Sequence, residues 1–299
     1  MEVVFNDYSL DSQFLSIEDF LDSLIDNTFV ILKYLSEQDN LLLKSYETYS
    51  RPVTSMESIY DILVSQKYRG FPEIRKLKSL LVQLSSEPFW QSNVRTDETA
   101  TYHCSFLGDF FGTSPNCFSE AVERDKFLLS IKHDNFEIDL IDVKKNGKTQ
   151  TIYNLFDKKN AAKKLFSNGN MTFVDLLSCI IEDEEIVFCS NGSHYYADEL
   201  WNNGDLSKDD VLKIANDFEI LIEGKKTGKI LARLTDSITY GNDTYMEFRT
   251  TLKNGREFRM FYYVDGCKWV FLDTLIKKTE ATPLSVKKRT CKLLGDYKR

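Results

Sequence analysis

Cysteine and histidine, the side chains that most often bind metal, are few in this chain and are not grouped. The 299 residues include six cysteines and three histidines, and no two cysteines have the two-residue separation typical of zinc and redox sites. The sequence therefore predicts no metal and no cofactor. Ungrouped thiols are typical of reduced cytoplasmic proteins, and here they are Cys104, Cys117, Cys179, Cys189, Cys267 and Cys291.

Long apolar segments are also absent. The first residues, Met1–Asp7, contain no basic region followed by an apolar core, which is the pattern of a secretory signal. No run approaches the roughly 20 apolar residues of a membrane-spanning helix. We therefore expect a cytoplasmic protein that does not insert into membranes.

The charges are divided unevenly along the chain. Residues 225–299 contain 17 Lys/Arg and 8 Asp/Glu, a net charge of +9, and residues 1–224 contain 21 and 38, a net charge of −17. A positive region attracts polyanions such as nucleic acids. The acidic region either shields the basic one or keeps the protein in solution, and both interpretations stay open.

Turn dipeptides and helix-capping pairs predict an α+β fold. Asn146-Gly147, Asn254-Gly255 and Asp265-Gly266 each separate two short apolar runs, as in β-hairpins. Ser16 with Asp19, and Ser207 with Asp210, have the spacing of a capping box at the start of a helix. The predicted strands and helices follow one another without an internal repeat.

The small polar stretch Ser167–Asn170 predicts a domain boundary. Residues 1–170 are interpreted as an acidic α+β domain, residues 171–184 as a linker helix, and residues 185–299 as an antiparallel sheet packed with helices. The second domain is predicted to contain two helices and five strands. The helices are Ser207–Ile222, closed by Gly224, and Pro283–Leu294. The strands are Ile186–Cys189, Ile230–Leu234, Tyr245–Thr250, Phe258–Val264 and Trp269–Leu275.

An ordered set of motifs occupies the end of the chain. One predicted strand contains Glu247-Phe248-Arg249, and the next contains Arg259 and ends in Phe261-Tyr262-Tyr263. The last strand continues into Lys277-Lys278-Thr279, with Pro283 before the closing helix. This order resembles the RelE/HigB superfamily of bacterial toxins, in particular its phage-derived HigB-like branch.

The resemblance covers residues 185–299 and implies a small microbial-ribonuclease-like fold. It also implies an endoribonuclease that cleaves messenger RNA, usually on the ribosome. Residues 1–170 have no counterpart in that family, so we expect them to sense a signal or restrain the second domain. A toxin–antitoxin pair or an anti-phage defence protein would have this organisation, with an antitoxin or a phage protein as the ligand.

Metal-free RNA cleavage needs a base for the 2′-hydroxyl, cations for the phosphate and an acid for the leaving oxygen. Arg249 and Arg259 lie on adjacent predicted strands, where they either meet one phosphate or pair with Glu247 and Glu257. His194, the only histidine of the second domain, lies in a loop-like segment. Because no secure general base is found, a non-catalytic module that binds RNA, the ribosome or a protein is the alternative.

The remaining candidates are assigned by chemistry and position. Lys277 and Tyr297 join Arg249 and Arg259 as catalytic candidates, although Tyr297 is also consistent with a frayed tail. Five further residues are candidates for RNA binding because they are basic or aromatic: Lys278, Arg256, Tyr263, Lys287 and Lys288. Solvated side chains are the alternative for Arg256 and for the pair Lys277 and Lys278, and a side chain that faces the core is the alternative for Tyr263.

One cluster of acidic residues in the first domain contains the residue types found in the active sites of metal-dependent nucleases. Glu120, Glu123 and Asp125 lie near Lys132 and His133 in sequence. The carboxylates fall on a predicted helix, and we interpret them as solvated side chains.

Overall fold

A computed structural model describes residues 2–11, 13–36, 41–44, 46–84, 101–104, 110–113, 117–169, 171–181, 185–192, 194–229, 231–277 and 282–299. These residues form a mixed fold of helices and two sheets, which confirms the predicted α+β class. The chain divides into two compact units, Met1–Ala161 and Ala162–Arg299.

The first unit contains a sheet of seven described strands. They are β1 (Glu2–Phe5), β2 (Leu41–Leu43), β3 (Thr101–Cys104), β4 (Phe110–Thr113), β5 (Phe127–Leu129), β6 (Leu140–Lys145) and β7 (Lys148–Leu155). Their order is β2-β1-β5-β7-β6-β3-β4. The first four of that order pair in parallel, and the last three continue the sheet in antiparallel pairs.

Six helices are described up to the end of the first unit. They are α1 (Ile17–Ser23), α2 (Phe29–Ser36), α3 (Ile59–Val64), α4 (Pro72–Leu84), α5 (Cys117–Arg124) and α6 (Lys158–Ser167), which contains the boundary between the units. The predicted capping box at Ser16 is confirmed, since its hydroxyl accepts a hydrogen bond of 3.1 Å from the Asp19 amide. The predicted Asn146-Gly147 hairpin is also confirmed, with both residues at positive φ.

The second unit contains helices on both sides of a five-stranded sheet. Its elements are α7 (Phe173–Ile180), β8 (Glu185–Phe188), α8 (Glu199–Asn202), α9 (Lys208–Lys226), β9 (Thr235–Tyr240), β10 (Asp243–Thr251), β11 (Glu257–Asp265), β12 (Lys268–Lys277) and α10 (Leu284–Tyr297). The strand order is β8-β12-β11-β10-β9.

This sheet is mixed, whereas the sequence predicted an antiparallel one. Strands β9 to β12 form an antiparallel meander, but β8 pairs in parallel with β12. Parallel neighbours need a long connection, and the segment through α8 and α9 supplies part of it. Turn dipeptides indicate only hairpins, which join antiparallel strands. The parallel pairing of β8 with β12 therefore has no signal in the sequence.

Two local predictions in this unit are wrong. The segment Leu231–Leu234 is a turn, closed by a 2.8 Å hydrogen bond from Leu234 N to Leu231 O, and the strand begins at Thr235. Helix α9 continues through Gly224, which is buried, and ends before Gly228 at a φ of +68°. The strand was predicted from the apolar residues of this segment, and the helix end was predicted from the glycine. The edge strand β9 is polar and has no apolar pattern that predicts a strand.

Apolar side chains of α9 and α10 pack against opposite faces of the sheet. On one face, Phe218 of α9 packs edge-on against Phe248 and Trp269, with ring centroids 5.2 and 5.5 Å apart. On the other face, Leu294 of α10 packs with Tyr245 and Phe261. Burial of each such side chain stabilises the fold by roughly 1.5–3 kcal/mol.

Helix α7, interpreted above as a linker, belongs to this core. Phe173, Leu176 and Leu177 are fully buried, and the Phe173 ring lies 6.3 Å from that of Phe258 on β11. Apolar residues cover most of the surface of α7. We therefore interpret α7 as part of the packed core of the second unit and not as a linker.

The charge division does not follow the boundary between the units. Residues 162–299 contain 21 Lys/Arg and 21 Asp/Glu, a net charge of zero, while residues 1–161 contain 17 and 25, a net charge of −8. The change of sign near residue 224 falls inside α9. The acidic and basic segments on either side of it therefore belong to the same unit.

Candidate functional site

Four charged side chains lie together on one face of β10 and β11. Arg249 and Arg259 are direct neighbours across the antiparallel pair. Glu247 and Glu257 lie two residues away on the same face, because side chains alternate along a strand. The meander thus brings together residues of two strands that are eight to twelve positions apart.

Arg259 is enclosed by carboxylates. Its Nη1 lies 2.5 Å from Glu247 Oε1, its Nε donates to Glu257 Oε1 at 2.7 Å, and Nη1 also donates to the Thr282 hydroxyl at 2.9 Å. Only 9% of its side chain is exposed. Arg259 therefore makes a cross-strand ion pair with Glu247 and an ion pair within β11 with Glu257, and few of its donors remain for a phosphate.

Burial and the charge of Arg259 shift the pKa values of Glu247 and Glu257 in different directions. Burial raises the pKa of Glu247, and the nearby Arg259 charge offsets only part of that rise. Burial also acts to raise the pKa of Glu257, but its hydrogen bond to Arg259 and the charges of Arg259 and Lys277 outweigh burial and lower it. Glu257 is therefore an ionised carboxylate at neutral pH.

Arg249 has a more open environment than Arg259. Its side chain is 31% exposed, with Nη2 donating to Ala232 O at 2.9 Å and Nη1 lying 3.9 Å from Asp236. It lines a cavity of about 400 Å³, which we call the β10 pocket. The lining residues are Lys213, Asp217, Arg233, Leu234, Arg249, Thr250, Thr251 and Glu257.

The β10 pocket exists because β10 extends past the start of β9. Pairing between the two strands stops at Phe248 and Thr235, which leaves a notch at the edge of the sheet. On the α9 side of this notch, Lys213 lies 2.8 Å from Asp217, and the Thr250 hydroxyl donates to the same carboxylate. Residues from both faces of the sheet therefore reach one pocket.

The predicted catalytic residues do not all meet. Lys277 lies across β11 and β12 from Glu257, at 3.6 Å, so it joins Arg249 and Arg259. Tyr297 instead hydrogen-bonds Asp265 at 3.1 Å, at the other end of β11. Asp265 lies eight positions after Glu257 on that strand, which is roughly 27 Å at about 3.4 Å per residue.

The predicted RNA-binding residues are spread over the second unit. Arg256 lies near the pocket, 3.7 Å from Asp210, whereas Tyr263 contacts Lys298 at the Tyr297 end. Lys287 and Lys288 are in the first half of α10, and Lys278 lies outside the described residues.

Lys213 and Arg233 were not singled out by the sequence. Lys213 has the i,i+4 spacing to Asp217 of an ordinary helix surface pair, and Arg233 lies in a segment predicted as strand. Neither pattern contains information about β10. Their role as pocket residues depends on contacts between distant parts of the chain.

The acidic group of the first unit is partly structural. Glu120 is 1% exposed and pairs with Arg124 at 2.8 Å, so the interpretation of Glu120 as solvated is wrong. Glu123 pairs with Lys145, and Asp125 lies in a turn at positive φ. Among the residues that the structure describes, no three Asp, Glu, His or Cys side chains are arranged to hold a metal ion.

Comparison with known proteins adds no relative. No protein-family model matches the chain, and no curated protein or solved structure matches it. Within the described part of the chain, no helix is both long enough and apolar enough to cross a membrane. The charges and hydrogen-bonding groups of the β10 pocket are therefore the main guide to function.

Proposed function

We propose that the second unit binds RNA through the β10 pocket and does not itself cleave it. The observation that carries this proposal is the convergence of three cationic side chains from three segments: Lys213 of α9, Arg233 of the following turn and Arg249 of β10. Arginine keeps its charge at any physiological pH and matches the geometry of phosphate oxygens.

Binding is favoured over cleavage because the cleaving group is incomplete. The reaction needs a base, a phosphate-binding cation and an acid within reach of one phosphodiester. Arg259 is held between two carboxylates, and Tyr297 lies roughly 27 Å along the sheet, at about 3.4 Å per residue, from the pocket end of β11.

The order of elements supports a relation to RelE/HigB proteins as part of the same proposal. Helix α9, the meander β9–β12 and the closing helix α10 follow one another as that resemblance implies. The second unit would then be a member of that superfamily with an incomplete cleavage site, and it would bind RNA, including messenger RNA on the ribosome. The first unit, with its net charge of −8, repels RNA and suits a regulatory role better.

Titration of the full chain with a labelled single-stranded RNA of about 12 nucleotides tests the proposal. Loss of one charge-assisted contact in Arg249→Ala should weaken binding by roughly 10-fold or more. Arg299→Ala, which removes an equal charge from an 82% exposed side chain at the chain end, is the matched control. Equal losses in both variants, or no binding by the unaltered protein, would overturn the proposal.

An endoribonuclease is the second candidate, and one observation favours it. Glu257 is an ionised carboxylate that lines the same pocket as Arg249, where it suits the task of accepting the 2′-hydroxyl proton. Its lowered pKa makes it a weak base, since general bases work best with a pKa near the ambient pH.

Cleavage in a translating extract distinguishes the two candidates. The endoribonuclease predicts messenger RNA cleavage by the unaltered protein, and loss of cleavage in a Glu257→Gln variant that is still folded by circular dichroism and still binds RNA. Tyr297→Phe, at the other end of the sheet, should cleave normally. RNA binding without cleavage by the unaltered protein supports the first candidate.

A further inference from the structure

One wall of the β10 pocket is a strand edge that faces no strand among the residues that the structure describes. Arg249 N donates to Leu234 O at 2.9 Å, toward β9, whereas Leu252 N donates to Arg256 O at 2.8 Å, toward β11. Backbone groups of successive residues alternate between the two sides of an antiparallel strand. The backbone groups of Arg249 and Thr251 therefore face the β9 side.

That side is open beyond Arg249. Strand β9 begins at Thr235, and Leu234 N is engaged with Leu231 O rather than with the Arg249 carbonyl. In the described residues, the Arg249 C=O and the Thr251 N–H have no partner on this side. Thr251 is exposed and lines the pocket, so an acceptor and a donor two residues apart face the space where a ligand would lie.

We propose that this strand edge binds an unpaired nucleobase, while Arg249 and Arg233 bind the adjacent phosphate; the inference rests on the proposed RNA binding. A hydrogen-bond donor and an acceptor lie side by side on the Watson–Crick edge of an unpaired base, where proteins commonly read RNA. A carbonyl and an amide on one strand edge complement such a pair. In a duplex these base groups are already paired, so the site selects single-stranded RNA.

The open edge is too short for a peptide strand. Peptides that extend a sheet rely on a row of main-chain hydrogen bonds, and within the described part of the chain only Arg249 and Thr251 present open groups on this side. A base needs two hydrogen bonds and no further length. The pocket is lined by three cationic side chains, Lys213, Arg233 and Arg249, and by the carboxylates of Asp217 and Glu257. The excess of cations also suits a phosphate chain.

Substitution of Thr251 tests the role of the amide. Thr251→Pro removes the N–H, at a position where proline is tolerated because the N–H faces away from the neighbouring strand. Thr251→Ala removes the side chain and keeps the amide. For the single-stranded RNA of about 12 nucleotides, we expect Thr251→Pro to bind roughly fivefold more weakly than Thr251→Ala. Equal affinities of the two variants overturn the inference.

Changing the ligand gives a test that does not depend on how the variants fold. The unaltered full chain should bind the single strand at least about fivefold more tightly than an abasic strand with the same number of phosphates, and more tightly than the duplex. Equal binding of the abasic strand overturns base recognition but leaves RNA binding intact. No binding of any RNA overturns the proposed function instead, and preferential binding of a glutamate-rich peptide assigns the edge to a protein ligand.

Discussion

Arg249 and Arg259 lie directly opposite each other on β10 and β11, yet only Arg259 is enclosed by carboxylates. Arg259 has 9% of its side chain exposed, while Arg249 has 31% and lines the β10 pocket. The two arginines therefore have separate tasks. Arg259 holds the strands together, and Arg249 is available to a ligand.

This difference predicts unequal losses of stability. Arg259→Ala leaves the Glu247 carboxylate buried without its counter-charge, which should lower the free energy of unfolding by about 3 kcal/mol. Arg249→Ala breaks only half-exposed contacts and should cost less than about 1 kcal/mol. Urea unfolding of both variants measures the difference, and similar losses would contradict the assignment of separate tasks.

The pairing of α10 with β12 predicts a second effect. Arg289 donates to Asp273 through Nε and Nη2, each at 2.7 Å, and Asp273 is 1% exposed. Arg289→Ala should lower the free energy of unfolding by about 2–3 kcal/mol, because the Asp273 charge stays buried. The double variant Arg289→Ala/Asp273→Asn should regain part of that loss in urea unfolding. A double variant less stable than Arg289→Ala would show that the buried charge is not the cause.

Asp198 predicts a pH dependence. Burial raises the pKa of Asp198 from the ordinary 3.8 to about 6, although its hydrogen bond from Val174 N acts in the opposite direction. The folded protein then binds this proton more tightly than the unfolded chain. Protonated Asp198 therefore stabilises the folded state fully below about pH 4, and this stabilisation is lost as the pH rises to about 6.

Asp198→Asn should remove that loss, since the amide oxygen still accepts from Val174 N. We expect the free energy of unfolding to rise by about 1–2 kcal/mol near pH 7.5, after allowance for solvent screening, with no gain near pH 4. Urea unfolding of both proteins across this range gives the difference curve. A difference that does not vary with pH would contradict the raised pKa.

The start of α9 gives a fourth prediction. The Ser207 hydroxyl accepts from Asp210 N at 3.1 Å, and Asp210 in turn accepts from Ser207 N at 3.2 Å. Ser207→Ala should lower the free energy of unfolding by about 1 kcal/mol, whereas Ser207→Asp, which keeps an acceptor, should lose less. Thermal unfolding of the pair provides the measurement, and equal losses would mean that the cap is not what stabilises this end.

Local signals predicted much of the second unit but not its sheet. The cap at Ser207 and the hairpin turns at Asn254-Gly255 and Asp265-Gly266 are confirmed. Strand β9 was missed because its polar, half-exposed residues have no apolar alternation. The burial of α7 was missed because an apolar helix has the same pattern whether it joins two domains or packs within one.

By itself, the sequence determined where the helices and hairpins begin and turn, because those hydrogen bonds join residues within about four positions of one another. It also placed Glu247, Arg249, Glu257 and Arg259 on adjacent strands. Only the tertiary structure decided which arginine is the more exposed, since Glu247 and Thr282 reach Arg259 from distant parts of the chain. The β10 pocket likewise depends on where β9 begins, which follows from the packing of the whole unit and not from any local run of residues.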